Sequence, residues 1–176
     1  TDDAGNSTEF EGTVATVVPD KNGNLIIAPV DGDEQVIVTV GETETTAKIG
    51  TVNVGGNVVL KVTGDLTAKY KNVITLGQNS GLDVTGNIED VNNFYSANKT
   101  SVTSEVYNAT EGNDSFNLGV NSEAVFGSMD MLEGYDTVYI GNNAEFKADS
   151  VANVEEFSTA SGSTVEIGTF TGRDAS

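Results

Sequence analysis

The chain contains no histidine, no cysteine and no tryptophan. Without imidazole or thiol there is no Ser-His-Asp triad, no thiolate nucleophile, no disulfide and no Cys/His zinc site. Basic residues are scarce too: eight Lys and Arg stand against 27 Asp and Glu, a formal net charge of −19 over 176 residues. Phosphate recognition needs a basic face, so this balance argues against nucleic acid as a partner. It also disfavours anionic membrane surfaces. No apolar run approaches the roughly 18 residues of a membrane-spanning helix, and no membrane insertion is expected.

What is present points to strands. Twenty Gly, abundant Asn, Ser, Thr and Val, and only two Pro favour many short strands joined by turns. Leu is sparse, and Thr, Val, Gly and Asn are mediocre to poor helix formers, so an all-β chain is expected. A first residue of Thr rather than Met implies processing or excision from a longer chain. Missing cysteine is compatible with an extracellular, secreted protein that is stabilised by something other than disulfides.

The first part reads as a polar N-terminal tail over residues 1–9 followed by a small barrel over 10–76. Candidate strands are Phe10–Val18, Leu25–Val30, Gln35–Val40, Thr51–Val54, Val58–Val62 and Lys69–Leu76. Period-two alternation puts Val36, Val38 and Val40 on one face, and Val58, Leu60 and Val62 on another. Pro19-Asp20-Lys21-Asn22-Gly23 reads as a hairpin turn, because Asn-Gly accepts the positive φ such turns require. Gly55-Gly56 and Thr63-Gly64-Asp65 punctuate the later pairs in the same way. This stretch resembles small secreted OB-like β-barrels; an SH3-like barrel or a small sandwich fits the same alternation. OB folds bind single strands on aromatic platforms in a basic groove, and here only Phe10 and Tyr70 are available, on a chain of the wrong charge.

The second part, 77–176, is a repeat array. Gly112–Glu133 (GNDSFNLGVNSEAVFGSMDMLE) aligns with Gly134–Glu155 (GYDTVYIGNNAEFKADSVANVE) at an offset of 22 residues, 134 minus 112. Asp114 falls on Asp136, Phe116 and Leu118 on Val138 and Ile140, and Gly119 and Asn121 on Gly141 and Asn143. Ile74, Leu76, Gly77 and Asn79 form a further copy. Phe94 and Val102 align with Phe157 and Val165, and Tyr107 with Phe170. A period near 20 in a Gly- and Asn-rich chain specifies a short parallel β-solenoid, in which stacked coils bury the apolar face that no single unit can bury alone. The repeated Asn79, Asn121 and Asn143 are expected at corners, where a ladder of amides satisfies turn carbonyls.

The segments Glu111–Gly119 (EGNDSFNLG) and Glu133–Gly141 (EGYDTVYIG), with Val151–Phe157 (VANVEEF), resemble degenerate repeats of bacterial S-layer proteins, RTX-type secreted proteins and large adhesins. The calcium-binding RTX unit is G-G-x-G-x-D-x-U-x, of which only the second half stands here; Ala109-Thr110 and Met131-Leu132 replace the leading glycines. The resemblance implies a solenoid and a cell-surface setting. Asp114, Asp136, Glu111 and Glu133 are the candidate ligands of a Ca²⁺ ion. Acids stacked at the coil spacing of roughly 4.8 Å repel unless a cation or a change of facing relieves them, and Ca²⁺ accepts six to eight oxygens. The competing reading is that Asp114 and Asp136 cap their own turns through backbone N–H groups and stay solvated.

Other chemistry is thin. The loop from Asp20 lacks the Gly and Glu positions of an EF-hand. Two nearby carboxylates are the minimum for a glycosidase, yet such sites enlist Arg, Lys or aromatic subsites, and Arg173 is the only arginine; paired acids such as Glu155-Glu156 read more simply as solvated surface. No enzyme is expected. Asn6, Asn98, Asn108 and Asn113 begin Asn-x-Ser/Thr triplets, at the frequency expected by chance in so Asn- and Thr-rich a chain. The expectation is therefore an extracellular structural subunit that polymerises with itself in an S-layer, surface filament or fibrous adhesin. The alternative is an adhesive or carbohydrate-binding module of a larger secreted protein with a cell-surface glycan as partner. Tyr95, Tyr107, Tyr135 and Tyr139 separate the two: exposed tyrosines gathered on one face favour the module.

Overall fold

The computed structural model describes residues 14–21, 23–40, 50–67 and 72–172. They form fifteen short strands and no helix: β1 (Val14–Val17), β2 (Leu25–Ile27), β3 (Val36–Val40), β4 (Thr51–Val54), β5 (Val58–Val62), β6 (Asn72–Leu76), β7 (Gly81–Val84), β8 (Asn87–Ser96), β9 (Ser101–Ala109), β10 (Ser115–Leu118), β11 (Glu123–Asp130), β12 (Thr137–Ile140), β13 (Glu145–Val154), β14 (Glu156–Thr159) and β15 (Thr164–Gly172). Among the described residues all strand pairings are parallel. The odd strands stack in order from β1 to β15 on one face, and the even strands from β2 to β14 on another. The first half of β8 leaves the even column to pair with the second half of β9, opening a third side that β11, β13 and β15 continue. The chain is a parallel β-solenoid.

Alternation within each strand builds the interior. On the even face Leu25, Val52, Ile74, Phe94, Phe116, Val138 and Phe157 lie in one register column. On the odd face Val38, Leu60, Leu82, Val102, Ala124, Phe146 and Val165 do the same. Ile88, Tyr107, Met129, Val151 and Phe170 line the third side. The predicted pairs Phe116/Val138 and Tyr107/Phe170 thus fall in shared columns. Stacking equivalent side chains removes apolar surface that one coil alone leaves wet, at about 25 cal/mol per Å².

An OB-like barrel over 10–76 is not what the described residues of that region build. Barrels of that kind close through antiparallel neighbours, whereas β1 pairs in parallel with β3 and β2 with β4. The turn at Pro19–Gly23 joins strands on different faces and closes no hairpin; within it Gly23 donates to the Asp20 carbonyl at 2.9 Å and the Asn24 N–H to Asp20 Oδ1 at 3.0 Å. Gly55-Gly56 and Gly64 are corners of the solenoid. The expected strands themselves stand: β4 and β5 keep their predicted bounds, and Val58, Leu60 and Val62 all point inward. The predicted tail over 1–9, and Phe10, Tyr70 and Arg173, lie outside the described residues.

The corners need backbone conformations that most residues resist. Asn57, Asn79, Lys99, Asn121 and Asn143 occupy equivalent positions between even and odd faces, all with φ between 55° and 63°. Asn tolerates this left-handed region better than other non-Gly residues. Each donates its backbone N–H one coil onward: Asn57 to Gln78, Asn79 to Asn98, Lys99 to Val120, Asn121 to Asn142 and Asn143 to Ser161. Two residues earlier the chain runs so close to the preceding coil that a Cβ at Gly119 lies 2.0 Å from the Ala97 carbonyl oxygen. The amide ladder is shorter than the sequence suggests. Asn79 Nδ2 donates to Asn57 Oδ1 at 2.9 Å, and Asn57 Nδ2 to the Val30 and Gly32 carbonyls at 2.7 and 2.8 Å. Lys99 then takes the next position and separates Asn79 from Asn121.

Candidate functional site

The four candidate calcium ligands part into two pairs. Asp114 and Asp136 stand just before β10 and β12 and are buried, at 4% and 0% exposure; Glu111 and Glu133 are exposed on the loops preceding them. The aspartates lie one above the other with Asn92 on one side and Glu155 on the other. Asp136 Oδ1 accepts the backbone N–H of Asp114 at 2.8 Å, and Glu155 Oε2 accepts that of Asp136 at 2.7 Å. Asp114 accepts the Thr110 N–H at 2.7 Å, the Thr110 hydroxyl at 2.8 Å and Asn92 Nδ2 at 2.7 Å. These donors satisfy the buried carboxylate oxygens that they reach and offset the repulsion between neighbouring acids in the stack. The described residues hold no group of three or more Asp or Glu arranged to share an ion.

Asn92 and Thr110 are ladder residues outside the candidate set, and Glu155, expected on the solvated surface, is instead partly buried and joins them. Asn92 was legible, standing 22 residues before Asp114. Glu155 was not. It aligns with Glu133, but the last coil is shorter, and Glu155 reaches Asp136 across 19 residues instead of 22. Beside the ladder, Tyr107 is fully buried and its hydroxyl has no hydrogen-bond partner among the described residues. Burial first, and the Asp114 carboxylate second, push the Tyr107 hydroxyl well above the ordinary tyrosine range.

The other three marked tyrosines are exposed: Tyr95 by 56%, Tyr135 by 49% and Tyr139 by 42%. Tyr95, Asn117 and Tyr139 share one outward row of the even face, in direct register across β8, β10 and β12. Tyr135 lies at the entrance to β12, its hydroxyl 3.4 Å from Glu156 Oε2. A shallow groove of about 230 Å³ runs beside this row, walled by Tyr95, Asn117 and Tyr139 and by the corner residues Asn98 and Gly119. From β4 to β12 the even face turns only Thr, Asn, Val, Ser and Tyr outward. The odd face instead presents Lys61, Asp83, Glu123, Glu145, Lys147 and Glu166. There Lys147 Nζ lies 3.5 Å from Glu145 and 3.9 Å from Glu166, relieving part of the stacked negative charge.

The last coil differs from those it continues. Phe170 is 47% exposed, whereas Tyr107, Met129 and Val151 in its column are at most 1% exposed. Phe157, Val165 and Ile167 are only partly buried. Among the described residues β15 pairs with β13 alone, and β14 with β12 alone. Among the described residues, none pairs with the outer edge of β14 or β15 or covers Phe170. No family model, curated protein or solved structure matches the chain.

Proposed function

We propose that this chain is a non-catalytic structural segment of an extracellular assembly, an S-layer, surface filament or fibrous adhesin, that polymerises by docking the open coil of one copy against the next. The observation that supports this is the end formed by β14 and β15. Its unpaired backbone edge is a template for another parallel strand, and its exposed Phe170 continues a column that is elsewhere buried. Burying a Phe side chain contributes about 1.5–3 kcal/mol. A head-to-tail contact of this type propagates instead of closing. At −19 per copy, association is opposed by charge, and divalent cations are proposed to bridge exposed acids such as Glu111 and Glu133 between subunits.

Sedimentation velocity and negative-stain microscopy, with and without millimolar Ca²⁺, test this. Wild-type protein is expected to form fibres or sheets that Ca²⁺ promotes, and Phe170→Glu to stay monomeric. Wild-type monomers under every condition would refute it. A second reading, an adhesive module of a larger secreted protein, is supported by the exposed Tyr95 and Tyr139, which share one uncharged outward row between β8 and β12.

A further inference from the structure

We infer that the row Tyr95–Asn117–Tyr139 is a binding site for an uncharged oligosaccharide lying along the solenoid axis. The inference rests on the adhesive reading and is independent of end-to-end assembly. Three features of the even face carry it.

The first is spacing. Tyr95 and Tyr139 belong to one register row with a single strand between them. Their backbones are therefore about 9.6 Å apart, two strand spacings of roughly 4.8 Å. Two aromatic platforms at that separation suit alternate rings of an extended β-linked pyranose chain, whose repeat of two rings is of similar length. Each tyrosine offers an apolar ring face to the C–H side of a sugar and a hydroxyl to its rim.

The second feature is what stands between the platforms. Asn117, midway in the row, and Asn98, at the corner, supply amides that both donate and accept, matching sugar hydroxyls. The third is charge. On a chain of net charge −19, the even face from β4 to β12 carries no charged outward residue, so a neutral ligand meets neither repulsion nor a desolvated acid. An anionic glycan or nucleic acid finds no cation there. The platforms sit on hydrogen-bonded strands, so little ordering opposes binding.

The test is a neutral-glycan array that includes β-1,4-linked glucose and N-acetylglucosamine hexamers, probed with the full chain and followed by calorimetry on the best ligand. Tyr95→Ala, Tyr139→Ala and the double variant are compared with wild type, with circular dichroism to verify folding. Both side chains are exposed, so the variants are expected to fold. The expected result is binding of a neutral glycan, weakened at least tenfold by each single variant and abolished by the double one. Binding that both variants leave unchanged would overturn this site while leaving the adhesive reading standing. Retention of no neutral glycan would overturn both. Self-association that disappears with the double variant would assign the face to a second copy instead and overturn the inference.

Discussion

The two halves of the solenoid bury the same shape with different materials. Among the described residues from Leu25 to Leu76, every fully buried large side chain is Leu, Ile or Val. From Phe94 onward the interior is a continuous chain of rings. Phe94 and Phe116 stack at 4.5 Å between centroids, Phe116 meets Tyr107, Phe126 and Phe146 at 5.3–6.0 Å, and Phe157 passes the contact to Phe170 at 5.8 Å. The second half also contains the buried acid ladder. The aliphatic interior is held by shape and area, whereas the aromatic coils add ring geometry and charged hydrogen bonds next to the core, so their interior register is specified more strongly.

Substitutions break or sharpen this contrast. The largest effect is expected for Phe116→Ala, a loss of about 4 kcal/mol from a residue in contact with four other rings. Because repeat coils couple mainly to their neighbours, hydrogen exchange should show lost protection in β8 to β13 and retained protection in β3 to β5. A uniform loss would mean that the halves form one cooperative unit. Next is Asp114→Ala, expected to cost about 3 kcal/mol in chemical denaturation because it removes the acceptor for Thr110 and Asn92. Asp114→Asn keeps part of that acceptor and should cost less.

The corners invert the comparison. Asn57→Ala is expected to cost about 2 kcal/mol, since it adds the loss of side-chain donors to Val30 and Gly32 to the strain of a positive φ. Asn121→Ala should cost about 1 kcal/mol, and Asn121→Gly close to nothing, because backbone strain alone is at stake there. Equal losses at Asn57 and Asn121 would remove the distinction.

Opposite in sign is Tyr107→Phe, a gain of about 1 kcal/mol from deleting a buried hydroxyl that has no partner among the described residues. Its pH dependence is sharper. The raised folded-state pKa means that the contribution of Tyr107 is intact below about pH 10, the unfolded value, and is lost as pH rises through the folded value. Thermal melts should therefore show wild type losing stability above pH 10 more steeply than Tyr107→Phe.

Much of the aromatic half was legible in the sequence, because Gly-x-Asp and Gly-x-Asn recur there at constant spacing. The aliphatic half has the same corner, Val54-Gly55-Gly56-Asn57 standing 22 residues before Leu76-Gly77-Gln78-Asn79, the spacing of the amide bond between the two asparagines. That period was masked earlier in the chain. Leu25 pairs with Val52, an offset of 27 (52 minus 25), which departs from the period of 22. Period-two alternation then reads equally well as sequential antiparallel hairpins, since both arrangements bury every second side chain. At the candidate site, the stacking of Asp114 on Asp136 followed from the repeat. Which way their carboxylates face did not, because that depends on amides brought in from the next coil.

Cross-linking in the aliphatic half tests the register most directly. The native chain has no cysteine, so paired substitutions report cleanly. Asn53 and Thr75 are register partners on adjacent coils, at the roughly 4.8 Å spacing that a disulfide spans. Oxidation of Asn53→Cys/Thr75→Cys should give an intramolecular disulfide in high yield, whereas Asn53→Cys/Lys61→Cys, on different faces, should remain reduced. A disulfide between positions 53 and 61, with none between 53 and 75, would contradict a solenoid that begins in the first half of the chain.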